Sequence, residues 1–364
     1  MNEFYGQGYS NIHRGVYGLS EQATLAYEEA RAVVARFIGA GHPREIIFTH
    51  GTTESINLVA YSFGEAFVQP GDEIAVSLLE HHANLVPWQL LGNRRGAHIR
   101  YVEFDECGRF DFDAFQQLLT ERTKLVAVTQ LANALGVTLP ISRIVEAAHR
   151  AGAKVLVDGA QGICHLPTDV EALGVDFYAF SGHKLYGPTG VGVLFGKQSL
   201  LEAMPPFLSG GDMIRSVSVH GTVFGDLPHK FEAGTPHIAG VLGLRTAIDY
   251  LEALGRTQVF QYEDQLVRYL EEELSSISEV TVLGGKEAHV GLCTFTVDGI
   301  HPHDLAQFLS SKQVAVRAGH HCAQPLLNRL GLQASTRASV GLYNTTEDVD
   351  RLKEAIEQAI SFFR

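Results

Sequence analysis

Seven short apolar runs rich in β-branched residues, separated by longer amphipathic stretches, fill the first two thirds of this chain, and few folds accommodate that alternation. The runs are 45-EIIFTH-50, 73-EIAVSLL-79, 98-HIRYVEF-104, 123-TKLVAVTQ-130, 154-KVLVDGA-160, 177-FYAFSGH-183 and 191-VGVLFG-196. Most are nearly continuous in apolar residues, as strands are when both faces of a mostly parallel sheet are covered. The last two lie too close together for a helical crossover, so one of them is expected to be antiparallel. Helices are expected over 20–39, over 112–121 behind an Asp111 N-cap, over 142–151 closed by Gly152, and over 240–254. Beyond that point the pattern changes to a helix, strands and a final helix that runs to Phe363, with Asn344 and Glu347 at capping-box spacing. The expected architecture is therefore α/β: a large domain over 1–252 with a seven-stranded, mostly parallel sheet, and a smaller α+β domain over 253–364.

Length and charge narrow the function. The 364 residues allow two domains of about 150 residues or more, and 45% hydrophobic with 19% charged residues excludes disordered, collagenous and coiled-coil classes. A net charge of −13 supplies no global field for nucleic acid or anionic lipid, so neither is an expected partner, and any anionic ligand must be held by a local site. Cys107, Cys164, Cys293 and Cys322 are too few and too scattered for a disulfide framework, and none stands at CxxC spacing, so no metal site is expected. The opening MNEFYGQGYSNIHRG lacks a basic region followed by an apolar one, and the most apolar long stretch, 124–144, is broken by Gln130, Asn133, Gly136 and Pro140. The expected address is the cytoplasm, with no membrane span.

In doubly wound sheets the chemistry gathers where strands end. After the first strand, 51-GTTESINL-58 brings Gly51, Thr52 and Thr53 to a helix start, where free N–H groups suit a phosphate, although a plain helix cap explains the same residues. The second strand leads into His81 and His82, which alone read as a capping pair. The fifth ends at Asp158, either a helix N-cap or the partner of a buried cation. The sixth ends in 181-SGHKLYGPTG-190, which sets Lys184 beside Ser181 and His183. Together these supply hydroxyls and a helix start for a phosphate, a ring to stack, an acid for a pyridinium nitrogen and an amine for a Schiff base, which is the inventory of a pyridoxal phosphate site. In 317-RAGHHCAQPLL-327, Cys322 follows two histidines in a Gly-containing loop, the setting of either a nucleophilic thiol or a small buried hydrophobe.

The blocks HRGVYGLSEQAT, GTTESINLVA, EHHANLVPWQ, VDGAQ, SGHKLYGPTGVGVLFG, FEAGTP and RAGHHCAQPLL, in this order, resemble those of the group II cysteine desulfurases of the SufS and CsdA type, with the related selenocysteine lyases beside them. The resemblance covers essentially the whole chain. It implies a fold-type I, class V aminotransferase-like enzyme, an obligate homodimer with sites at the interface, and pyridoxal 5'-phosphate as cofactor. By position it makes Lys184 the Schiff-base lysine, Asp158 the partner of the ring nitrogen, and His81 the stacked ring. It puts Thr52, Thr53, Ser181 and His183 around the phosphate, joined by Thr235 from the other subunit, and Gln161 on the phenolate oxygen. Asn133, Arg317 and Arg337 would hold the substrate carboxylate, and His13 would line the substrate pocket.

What the resemblance implies chemically is conversion of L-cysteine to L-alanine with a persulfide left on Cys322, for transfer to an acceptor protein in iron–sulfur cluster assembly or a related sulfur pathway. Alternatives are a selenocysteine lyase acting on L-selenocysteine, another class V enzyme such as a kynureninase-like hydrolase, or a non-catalytic sulfur-relay scaffold. The retained Cys322 argues against the hydrolase, and Lys184 with Asp158 against the scaffold. Family members usually carry some tens of residues before the block that opens here, including a segment of the LDxAAxxxxP kind, so part of the substrate pocket is expected to be unlined.

Overall fold

The seven apolar runs pair into one sheet in the order β1-β7-β6-β5-β4-β2-β3. They are β1 (Ile46–Thr49), β2 (Glu73–Ser77), β3 (His98–Val102), β4 (Thr123–Thr129), β5 (Lys154–Asp158), β6 (Phe177–Ser181) and β7 (Gly192–Gly196). This computed structural model describes residues 1–105, 107–285 and 289–364. As expected of the closely spaced last pair, β7 runs antiparallel, both to β6 and to β1, while the other pairings are parallel. Alternate side chains serve opposite faces, as the pleat requires. Val126, Val155 and Phe180 enter one apolar core, and Leu125, Leu156 and Ala179 enter a second. The edge strand β3 departs from the covered pattern, with mostly exposed residues on the open side of the sheet.

Because β1, β2, β4, β5 and β6 share one direction, their carboxyl ends meet along one edge of the sheet. There β7 passes very close to the turn after β1: a Cβ placed on Gly192 would fall 2.4 Å from the Gly51 Cα, so only glycine fits. The helix Thr52–Phe67 begins at that turn. The expected 112–121 helix is present with the Asp111 carboxylate accepting from Ala114 N, but it ends at Leu118.

A hairpin of β8 (Ile214–Ser218) and β9 (Gly221–Phe224) follows, which the sequence pattern does not announce. The chain then forms a four-stranded sheet in the order β10-β11-β13-β12, from β10 (Val280–Leu283), β11 (Leu292–Val297), β12 (Arg317–Gly319) and β13 (Ser335–Ser339). With the helices Arg256–Ser275, Pro302–Ser311 and Thr346–Phe363 it encloses a third apolar core. The last helix is capped one residue later than expected. Thr345 and Asp348 make the capping box, because Asn344 is occupied in accepting from Gly341 N and donating to Asp348. Ala323, Leu326 and Leu327, late in the sequence, pack into the first core and so bring the Cys322 loop back to the large sheet. Among the described residues no helix is long and apolar enough to cross a membrane.

A buried ion pair ties the first helix to the sheet edge. Arg31, on the helix Gly18–Phe37, donates to both oxygens of Glu232 at 2.6 and 2.9 Å and to the Ile46 carbonyl, and Glu232 also accepts from Phe48 N. Removing one partner strands the other charge out of water. Arg31→Ala is therefore expected to cost about 3–5 kcal/mol of stability in denaturant titration; a loss below about 1 kcal/mol, the size of a surface pair, would contradict this reading.

Candidate active site

The strand ends enclose a cleft of about 240 Å³ lined by residues from five strand-end segments, including His81, Asp158, Ser181 and Lys184, with Arg317 contributed from β12. Thr52, Thr53, Asn133, Gln161 and His183, also expected at the site from the sequence, line it too. The Ser181 hydroxyl accepts from Thr52 N at 2.8 Å and lies 2.7 Å from the Thr52 hydroxyl, which joins the end of β6 to the first turn of the Thr52–Phe67 helix. That turn presents backbone N–H groups and the positive end of a 16-residue helix dipole to the cleft. The Asp158 carboxylate accepts from Ala160 N at 2.9 Å. His81 behaves as the capping reading predicts, its Nδ1 accepting from Ala83 N at 3.0 Å, and its ring also forms part of the cleft wall.

Burial dominates the electrostatics. It pushes the Asp158 carboxyl up to about 6, against the Ala160 N–H bond and the nearby Lys184 amine, which both favour the anion. Burial also lowers the Lys184 ammonium, helped by Arg337 and Arg317 and opposed by Asp158. Burial, followed by the Lys184 charge, takes His81 down to about 4, so at neutral pH the ring is an uncharged surface. Arg337 is lowered to about 10 by burial and then by Arg317. Lys184, Arg317 and Arg337 thus stand close enough to lower one another's proton affinity or that of a neighbour, a local cluster of cations in a chain whose net charge is −13. Such a cleft suits a ligand with more than one negative group, as the composition required of any anion site.

Arg337 holds itself by donating Nη1 to the Asn133 carbonyl at 2.8 Å, while its buried Nε has no partner among the described residues. A buried donor left open is what a bound carboxylate would satisfy. Asn133 in turn donates its side-chain amide to the His321 carbonyl at 2.7 Å. The next residue is Cys322, whose Sγ lies 3.5 Å from Arg317 Nη2. His321 and Cys322 both adopt positive φ, at 52° and 57°. Consecutive non-glycine residues in that region cost on the order of 1–3 kcal/mol each, and persist only when their surroundings impose them.

Four predicted residues do not line this chain's cleft: Arg337 and Cys322 adjoin it through Asn133 and Arg317, while Thr235 and His13 lie elsewhere. Thr235 lines a separate depression with His50 and Glu54. His13, expected in the substrate pocket, instead sets its Nε2 3.1 Å from Glu28 and its ring 4.8 Å from that of His229. Its φ of 63° turns the segment before the Gly18–Phe37 helix against that helix. Glu80 has no place in the sequence reading yet organises the site. Its carboxyl accepts from Ser77, Thr129 N and Asn84, and burial pushes it up to about 8. An acid directly after an apolar strand and before His81 was the available signal.

This geometry is a strand-end lysine, acid and ring around an anion-binding helix start, in a fold-type I, pyridoxal-enzyme architecture. Residues 1–352 match the aminotransferase class-V family, and the chain belongs to it. It is 46% identical over 357 residues, 98% of this chain and 88% of the relative, to a cysteine desulfurase of Pectobacterium atrosepticum. It is 49% identical over 353 residues, 96% of this chain and 85% of the relative, to one of Dickeya dadantii. The crystal structure of the cysteine desulfurase CsdA, in an S-sulfonic acid form, from Escherichia coli superposes with a TM-score of 0.93 at 42% identity, covering 99% of this chain and 90% of that one.

The raised Asp158 carboxyl has a consequence for stability. Its folded proton affinity exceeds the unfolded one, so the stabilising protonated form is lost as pH rises from about 4 through about 6. Asp158→Asn is thus expected to stabilise the cofactor-free protein by about 2 kcal/mol at about pH 8 and to change nothing below about pH 3.5, while reducing cofactor content. Thermal melts at both pH values check this, and equal midpoints at the higher pH would overturn the assignment of burial as the cause.

Proposed function

We propose that the chain is a pyridoxal 5'-phosphate-dependent cysteine desulfurase that turns L-cysteine into L-alanine and leaves the sulfur as a persulfide on Cys322. The observation that carries this reading is the placement of the Cys322 thiol 3.5 Å from Arg317, a residue that lines the cleft holding Lys184 and Asp158. The residues present fit the cofactor: Asp158 is a buried carboxyl in need of a cationic partner, the Thr52 and Ser181 turn suits its phosphate, and Lys184 is a half-buried amine with lowered proton affinity.

When bound, pyridoxal phosphate withdraws the electron pair left at a substrate's α-carbon. The protein does the rest. Asp158 would keep the ring nitrogen protonated, the uncharged His81 would offer its ring to the cofactor, Gln161 would bond the phenolate oxygen, and Thr53 and His183 would add to the phosphate cradle. Arg337, with Asn133 and Arg317, grips the substrate carboxylate and fixes the sulfur toward Cys322. The Lys184 amine removes the α-proton, a task that its depressed proton affinity suits. The Cys322 thiolate then attacks the substrate sulfur: an S–S bond forms, the C–S bond breaks with its electron pair passing to the β-carbon, and protonation of the β-carbon together with return of a proton to the α-carbon gives alanine. Arg317 supplies the counter-charge to the attacking sulfur.

The reading extends to a homodimer in which Thr235 reaches the partner's phosphate, since it does not line the cleft of its own chain. It also carries a division of the chain near residue 252, a cytoplasmic address and a sulfur-acceptor protein.

Two outcomes test it. Borohydride reduction of the loaded protein should attach the cofactor to Lys184, and Lys184→Ala should abolish that attachment; labelling at another lysine refutes the site. Cys322→Ala should keep the cofactor and the absorbance change on adding L-cysteine but form no persulfide in intact-mass spectra. Desulfuration of L-cysteine by this variant at the wild-type rate would refute the nucleophile, and parallel assays with L-selenocysteine separate the desulfurase from a selenocysteine lyase.

A further inference from the structure

His82, the second of the adjacent histidines, lines no part of the cleft described above. It meets the Cys322 loop instead. The His82 N–H donates to the Cys322 carbonyl at 2.7 Å, and the His82 Nε2 accepts from Gln324 N at 3.1 Å. Gln324 opens the helix Gln324–Arg329, whose own N-cap residue, Ala323, has no side chain that can accept a hydrogen bond. The first-turn N–H left open by Ala323 is therefore capped from a different segment, more than 240 residues away in sequence, as the separation of 242 between the partners records.

We propose that His82 is a positioning residue for the nucleophile, clamping both sides of Cys322 so that the thiol is held beside Arg317. The loop needs such a clamp. His321 and Cys322 are both left-handed, and the ties within the loop are few: Cys322 N donates to His320 Nδ1 at 3.3 Å and Ala323 N to the His320 carbonyl at 2.8 Å. The external ties from Asn133 to the His321 carbonyl and between His321 Nε2 and Ser335 Oγ at 3.0 Å lie before the thiol, so they cannot restrain the backbone that follows it. Among the described residues, His82 alone grips the chain at residue 322 and again at residue 324. To accept from Gln324 N, its Nε2 must be unprotonated. Burial and then His320 lower its proton affinity, and the other ring facing it is His81, centred 6.3 Å away.

The inference rests on the proposed role of Cys322 but is testable without turnover. In the cofactor-loaded protein, His82→Ala should make Cys322 react faster with iodoacetamide, followed by intact-mass spectrometry, while cofactor absorbance and its change with L-cysteine stay as in the wild type. The kcat for L-cysteine should fall about tenfold with KM unchanged, the size of effect expected when a reacting atom is misplaced by a fraction of an ångström. His82→Gln, whose Oε1 can accept from Gln324 N, should restore wild-type alkylation and most of kcat. Wild-type alkylation in His82→Ala, a His82→Gln variant as impaired as His82→Ala, or loss of cofactor in either would overturn the proposal. Absence of alanine production in the wild type would sink the desulfurase reading and leave the alkylation comparison to decide the clamp.

Discussion

Asp158 ends β5 and Lys184 follows the adjacent β6, the carboxyl buried and the amine half-buried, so neither charge is well solvated there. Burial raises the carboxyl and lowers the amine, and the two relieve each other only in part. The remaining terms in the cleft follow from that shortage of water. The half-buried Arg337 and the exposed Arg317 add positive charge there, which is what allows a chain of net −13 to present a local anion site. His81 is kept uncharged by the same burial and the same lysine, so it offers an aromatic face and adds no further cation.

This arrangement is possible because of strand direction. Five strands deliver their carboxyl ends to one edge of the sheet, and the antiparallel β7 returns between β1 and β6, so that Gly192 presses against Gly51 and sets the helix start beside Ser181. Glu80 then links the turn after β2 to the end of β4 by accepting from Asn84 and Thr129 N. The turn that carries His81 is thereby tied to the Thr129 backbone, which is the sheet neighbour of Asp158. The nucleophile is held in a different way. Cys322 belongs to a loop leaving the smaller sheet, and it reaches the cleft because Ala323, Leu326 and Leu327 bury themselves in the large core while polar ties from Asn133 and His82 fix the backbone between.

The seven strands, the single antiparallel member among the last two and the Asp111 cap were legible from periodicity and cap chemistry, because these signals are local. The cap of the final helix was missed by one residue, since Asn344 and Thr345 are both good caps and the choice depended on Gly341, which takes the Asn344 oxygen. The β8–β9 hairpin was missed for a related reason. Its residues are mostly exposed, so they carry no buried alternation to read. Of the site, residues at strand ends could be collected in advance, because one rule about where doubly wound sheets place their chemistry applies to all of them.

The sequence by itself determined which residue types arrive at the sheet's edge: a lysine, an acid, a ring and a hydroxyl-rich helix start, each directly after an apolar run that had to become a strand. Tertiary structure alone decided how far their charges are shifted, because desolvation depends on everything packed around them and not on their neighbours in sequence. It also decided that His13 faces Glu28 and His229, away from the cleft of its own chain, and that Glu80 and His82 serve as braces. A hydrogen bond between residues 82 and 324 has no counterpart in local pattern. It exists only because the folded cores bring two distant segments within reach of one another.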